Sequence, residues 1–126
     1  VNNYVALCEM RLGKHQEAYN RFIESIRQSL TYRVMPEIIK SMAGIAYIWA
    51  HTGHSITAYK LMTFAYQHPL CNPETKKTLQ ADYDALTATF SQQERDTMKA
   101  EVSTYDLDTL IATLIHDARL EHPILG

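Results

Sequence analysis

The sequence predicts an all-α fold: antiparallel helical hairpins stacked side by side, followed by helices that cap the C-terminal end. Three observations carry that expectation. Apolar residues recur every three or four positions along nearly the whole chain, the period of a helix face. The 126 residues include only 4 glycines and 4 prolines, too few for a sandwich or barrel, which reverses about every eight to twelve residues. One pair of hydrophobic segments also echoes another at a constant offset.

A first helix is expected over residues 2–12, carrying Val5, Ala6, Leu7 and Met10 and stopping at Gly13, since glycine accepts the left-handed backbone of a helix end. A second covers 14–32, with Ala18, Phe22, Ile26 and Leu30 inward at every fourth position and Tyr19 and Ile23 beside them. Pro36 opens a third, where its missing N–H costs nothing. Ile38, Met42, Ile45, Ala46 and Trp49 share one side of it, and Ile39, Ala43 and Ile48 widen the apolar surface. That breadth predicts a helix packed between neighbours. Gly53 ends it, and a fourth helix over 55–67 turns Ala58, Leu61, Met62 and Ala65 inward.

After a loop over 68–73, Asn72-Pro73-Glu74 combines a side-chain cap, a proline at the first helical position and a carboxylate near the positive end of the helix dipole. The fifth helix that starts there carries Leu79, Tyr83, Leu86 and Phe90. Ser91 and Glu94 have the spacing of a capping box and begin a sixth. Asp106 caps a seventh, striped by Leu107, Leu110, Ile111, Leu114 and Ile115, and the tail after Arg119 is expected to fray.

The echo is gapless. Leu12-Gly13 with Ala18-Tyr19 corresponds to Thr52-Gly53 with Ala58-Tyr59 at an offset of 40 residues, Ala6 matches Ala46 and Phe22 matches Met62. Small residues let paired helices approach, a glycine permits the reversal, and a large residue one turn later fills the groove. The order Ala6, Gly13, Ala18, Phe22, repeated as Ala46, Gly53, Ala58, Met62, resembles the tetratricopeptide repeat, and Trp49 and Ala65 fall on its aromatic and small positions. The resemblance implies a short tetratricopeptide-like α-α superhelix in one domain, with repeat one over about 2–32, repeat two over about 36–68 and capping helices over about 73–119. The period of 40 exceeds the family's usual length of about 34 and is similar to the longer hairpins of MalT-like bacterial regulators. Pro73, Tyr83, Leu86, the stretch 91–98 and the stretch 106–115 resemble the end of regulators that join a nucleotide-binding switch domain to such an array. Val102-Ser103 stand where those regulators often have a glycine.

Composition narrows the function. Hydrophobic residues make up 46% and charged residues 21%, which excludes intrinsic disorder, and a net charge of −2 gives no electrostatic basis for nucleic-acid binding by this segment. No run is apolar enough to span a membrane, and Val1 has no basic-then-apolar leader behind it. A chain opening without Met inside a helical pattern is expected to be a piece of a longer, cytoplasmic protein. Cys8 and Cys71 are two isolated thiols, and Cys8 is expected to be buried in an apolar helix. His51 and His54 are near each other, but Gly53 between them breaks the helix that would align them on a metal. No phosphate loop, zinc-protease motif or nucleophile elbow occurs, so neither catalytic residues nor a metal or other cofactor is expected.

The resemblance instead implies a non-catalytic module that binds a protein, a peptide or a small effector. In that family the first helix of each hairpin lines the binding groove. Those positions here are Asn3, Leu7, Met10 and Arg11, then Lys40, Ala43, Tyr47, Ala50 and His51. Arg11, Lys40, Tyr47 and His51 suit anionic groups through charge-assisted and planar contacts. The leading reading is the C-terminal sensor region of a bacterial signalling or transcription regulator, in which a ligand or partner held by the groove changes how the array docks on an upstream switch domain of the same chain. An uncapped first repeat predicts a homodimer or larger assembly. A free-standing adaptor that scaffolds protein partners is the competing reading, and a helical enzyme a remote third.

Overall fold

Six helices follow one another in the computed structural model, which describes residues 8, 9 and 11–123. They are α1 (His15–Thr31), α2 (Met35–Ala50), α3 (Ser55–Gln67), α4 (Pro73–Ala88), α5 (Gln92–Val102) and α6 (Leu107–His116). Cys8, Glu9 and Arg11 are helical too, and no strand occurs among the described residues. The greater part of the helix expected over 2–12 lies outside those residues, with Val5, Ala6, Leu7 and Met10. The helix expected at Pro36 opens one residue earlier, with the proline inside its first turn.

One turn device ends three successive helical segments. Lys14 N–H donates to the carbonyl of Glu9 at 2.8 Å, Val34 N–H to Ser29 at 2.8 Å and His54 N–H to Trp49 at 2.9 Å. Each is the six-to-one bond of a Schellman motif, which requires a left-handed residue just before the donor. Those residues are Gly13 at φ +80°, Arg33 at φ +57° and Gly53 at φ +89°, spaced by twenty. Gly13 and Gly53 were legible as stops, but Arg33 was not, because a side chain at positive φ is strained and composition gives no sign of it.

The offset of 40 persists in the backbone: α1 and α3 start at His15 and Ser55, and Ala18 N–H donates to Lys14 as Ala58 N–H does to His54, at 3.0 and 2.9 Å. The paired positions Ala18/Ala58, Tyr19/Tyr59 and Phe22/Met62 are all buried.

Helix α2 sits between α1 and α3, its main packing partners, which is why its sequence is apolar on more than one side. Ile38, Ile39, Met42, Ile45, Ala46, Ile48 and Trp49 are wholly buried. Helices α1 and α2 pack tightly at Gly44, where a Cβ would lie 2.3 Å from Cζ of Phe22. Leu30, expected inward, is instead exposed. It falls in the last turn of α1, beside the Arg33 reversal, where Tyr32 and Val34 are exposed as well.

The remaining helices distribute themselves unequally. Helix α4 packs on α3 and α2, and α5 packs on α3. Tyr83 of α4 stacks on Tyr59 and Tyr66 of α3 at centroid distances of 5.7 and 4.8 Å, and its hydroxyl meets Thr63 Oγ1 at 3.0 Å. Lys60 and Glu101 form an ion pair joining α3 to α5. All three predicted caps are present: Asn72 accepts from Thr75 N–H, Ser91 and Glu94 form the reciprocal box, and Asp106 accepts from Thr109 N–H. Helix α6 returns to pack on α1, so it does not extend the row beyond α5. The segment beyond it is not frayed at its start, contrary to expectation. Arg119 and His122 exchange backbone hydrogen bonds at 3.2 and 3.1 Å, and the Trp49 indole N–H donates to the carbonyl of Leu120 at 3.1 Å. A buried indole needs an acceptor, and this one lies 71 residues away in sequence.

Candidate functional site

Lys40, Tyr47 and His51 lie at intervals of seven and four residues, so the helical period places them along one side of α2. Tyr47 and His51 rest ring against ring, 4.2 Å between centroids and 36° between planes. This side of α2 faces α4, and two cavities open along the seam. The first, of about 90 Å³, has Lys40 and Gly44 on one wall and Asn72, Glu74, Thr78 and Leu79 on the other. The second, of about 220 Å³, has Ala50 and His51 on one wall and Asp82, Leu86 and Thr89 on the other.

The remaining predicted groove positions are not gathered here. Asn3, Leu7 and Met10 lie outside the described residues. Arg11 is exposed and lines neither cavity. Ala43 is buried, because α2 turns that position into the core rather than toward the seam. Lys40 and Tyr47 are half-buried and His51 exposed, as side chains available to a ligand would be.

The opposite wall is what sequence reasoning missed. Glu74, Thr78 and Asp82 recur every fourth residue of α4, which aligns them along one face, yet the sequence alone reads Glu74 as a dipole partner and Asp82 as part of a solvated face. The signal was the spacing, but nothing local says that this face of α4 meets α2. Its consequence is chemical. One cavity sets Lys40 beside Glu74 and the other sets the His51 imidazole beside Asp82, so the seam suits a ligand that offers donors as well as a carboxylate.

The other reactive groups are dispersed. Cys8 is exposed rather than buried: its position on the first helical segment turns it to solvent. Cys71 is buried, and burial pushes its thiol above the ordinary range while Lys76 pulls it down, the opposite of an activated nucleophile. His51 and His54 cap the end of α2 and the start of α3, on two sides of the Gly53 turn. Among the described residues no group of three or more His, Cys, Asp or Glu could hold a metal ion, and no helix is long and apolar enough to cross a membrane. Comparison with protein-family models, with curated proteins and with solved structures finds no match to this chain.

Proposed function

We propose that this chain is a non-catalytic interaction module of tetratricopeptide-like hairpins that takes an extended peptide or protein segment along the α2–α4 seam. The observation that carries the reading is Lys40 and His51 on one side of the first helix of the second hairpin, each lining a cavity across from Glu74 or Asp82, with Tyr47 between them in sequence and packed ring against ring on His51. The forty-residue offset, kept in the turn hydrogen bonds and in the buried positions, supports the repeat assignment. A segment with a carboxylate for Lys40 and a donor group for Glu74 or Asp82 matches the side chains that line the seam. In the wider reading the module is the sensor region of a bacterial signalling or transcription regulator acting in the cytoplasm, and an occupied seam biases its docking on a switch domain. A free-standing adaptor would use the same seam without a switch.

Panning a random peptide library on the wild-type chain and on the Lys40→Glu/His51→Glu variant tests the module itself. Peptides enriched on the wild type should share a carboxylate, bind at micromolar affinity and lose about tenfold or more on the variant. Enrichment of no peptide, or equal binding to both chains, refutes the reading.

A further inference from the structure

We propose a second, small-molecule site in the cleft between α1 and α6, built to hold the carboxylate of an aliphatic ligand. The cleft has a volume of about 360 Å³ and is independent of the α2–α4 seam. Tyr19, Ile23 and Arg27 line it from α1, and Leu114, Ile115 and Arg119 from α6 and the segment after it.

Three features point to that ligand. The first is an unanswered donor. Tyr19 is 4% exposed, and its hydroxyl is buried with no hydrogen-bond partner among the described residues. A buried hydroxyl left without a partner is costly, so such a group beside a cleft marks a place for an incoming acceptor. Burial, foremost, pushes this phenol up to about 12, with Arg119 drawing it down and Glu121 raising it, so it stays protonated and able to donate at neutral pH.

The second is a guanidinium with capacity to spare. One nitrogen of Arg119 donates to the carbonyls of Ala118 and His116, at 2.9 and 3.5 Å. Those bonds tether the side chain at the end of α6, and Arg119 has no salt-bridge partner among the described residues. Its other N–H groups present the planar fork that matches a carboxylate. The cleft's own carboxylate, Glu24, has Arg27 as an ion-pair partner at 3.8 Å on the exposed rim. Glu121 near the tyrosine sets the limit on charge: the site favours one anionic group, not a polyanion such as a nucleotide.

The third is an apolar wall. Ile23, Leu114, Ile115 and Ala118 lie beside the polar end, so a short alkyl chain finds cover that a bare inorganic ion would not use. Because α6 packs on α1, a ligand spanning both walls ties the C-terminal helix to the first hairpin. That coupling makes the site a candidate for effector control of the fold.

Hexanoate, hexanol and hexylamine are suitable probes, read by thermal shift and by amide NMR. Hexanoate should saturate with a Kd of about 1 mM, raise the Tm and move amides within 19–27 and 114–119. Hexanol and hexylamine should bind at least about tenfold more weakly. Tyr19→Phe and Arg119→Gln should each weaken hexanoate by about tenfold with the helical circular dichroism intact, and Arg119→Lys should fall between. No saturation up to about 20 mM, equal binding of hexanol, or unchanged affinity in a folded Arg119→Gln variant would each overturn the proposal.

Discussion

Replacing Gly44 by alanine tests the packing on which the first hairpin depends. A Cβ at this position would sit 2.3 Å from Cζ of Phe22 and 2.6 Å from each Cε. Ordinary carbon contacts begin about 1 Å farther out. The ring cannot swing away cheaply, because Phe22 is 1% exposed and enclosed between α1 and α2. Overpacking of that kind costs about 2–3 kcal/mol, and the better helix propensity of alanine returns about 1 kcal/mol. The net expectation is a loss of about 1–2 kcal/mol, and at this chain length each kcal/mol moves the Tm by about 4 °C. The assay is a double-mutant cycle by thermal and urea denaturation, with Phe22→Leu as the second arm. Shortening the ring removes the clash, so in that background Gly44→Ala should be neutral or stabilising by up to about 1 kcal/mol, a coupling of about 2 kcal/mol. If Gly44→Ala raises the Tm of the otherwise native chain, or costs the same in both backgrounds, α1 does not approach α2 in this way.

Arg33→Gly should stabilise the protein by about 0.5–1 kcal/mol in chemical denaturation, because glycine relieves the left-handed strain and returns only part of that gain to the unfolded chain. Ser91→Ala should cost about 1 kcal/mol, since it leaves the Glu94 N–H without its cap. The Glu94 carboxylate is held below its usual range, chiefly by the Ser91 backbone N–H, so its contribution is present above the ordinary glutamate range and is lost as pH falls. Glu94→Gln should flatten that acid limb in urea titrations from neutral pH downward. At the other extreme, burial pushes the phenols of Tyr19, Tyr83 and Tyr105 each up to about 12 from 10.0. Unfolded chains release those protons first, so stability should fall as pH rises from 10 toward 12, and phenolate absorbance should lag in the folded protein.

The sequence carried the local half of this protein. Capping chemistry is read within four residues, so Asn72, Ser91 and Asp106 announced their helices, and each cap is present. The breadth of apolar residues from Ile38 to Trp49 told of a helix between two neighbours, because burial on two sides leaves no polar face. The offset of 40 told of two like turns, since Gly13 and Gly53 must satisfy the same backbone.

Of the candidate site, one wall was legible and the other was not. Lys40, Tyr47 and His51 share a face through helical period alone, whereas the placing of Lys40 and His51 across a cavity from Glu74 and Asp82 depends on where α4 lands. Long-range packing decided the rest: α6 against α1, the Trp49 indole on the carbonyl of Leu120, and the α1–α6 cleft beside Tyr19. These contacts join residues tens of positions apart. Periodicity shows which side of a helix is apolar, but not which apolar side it meets, and that choice is made by the summed fit of the helices together.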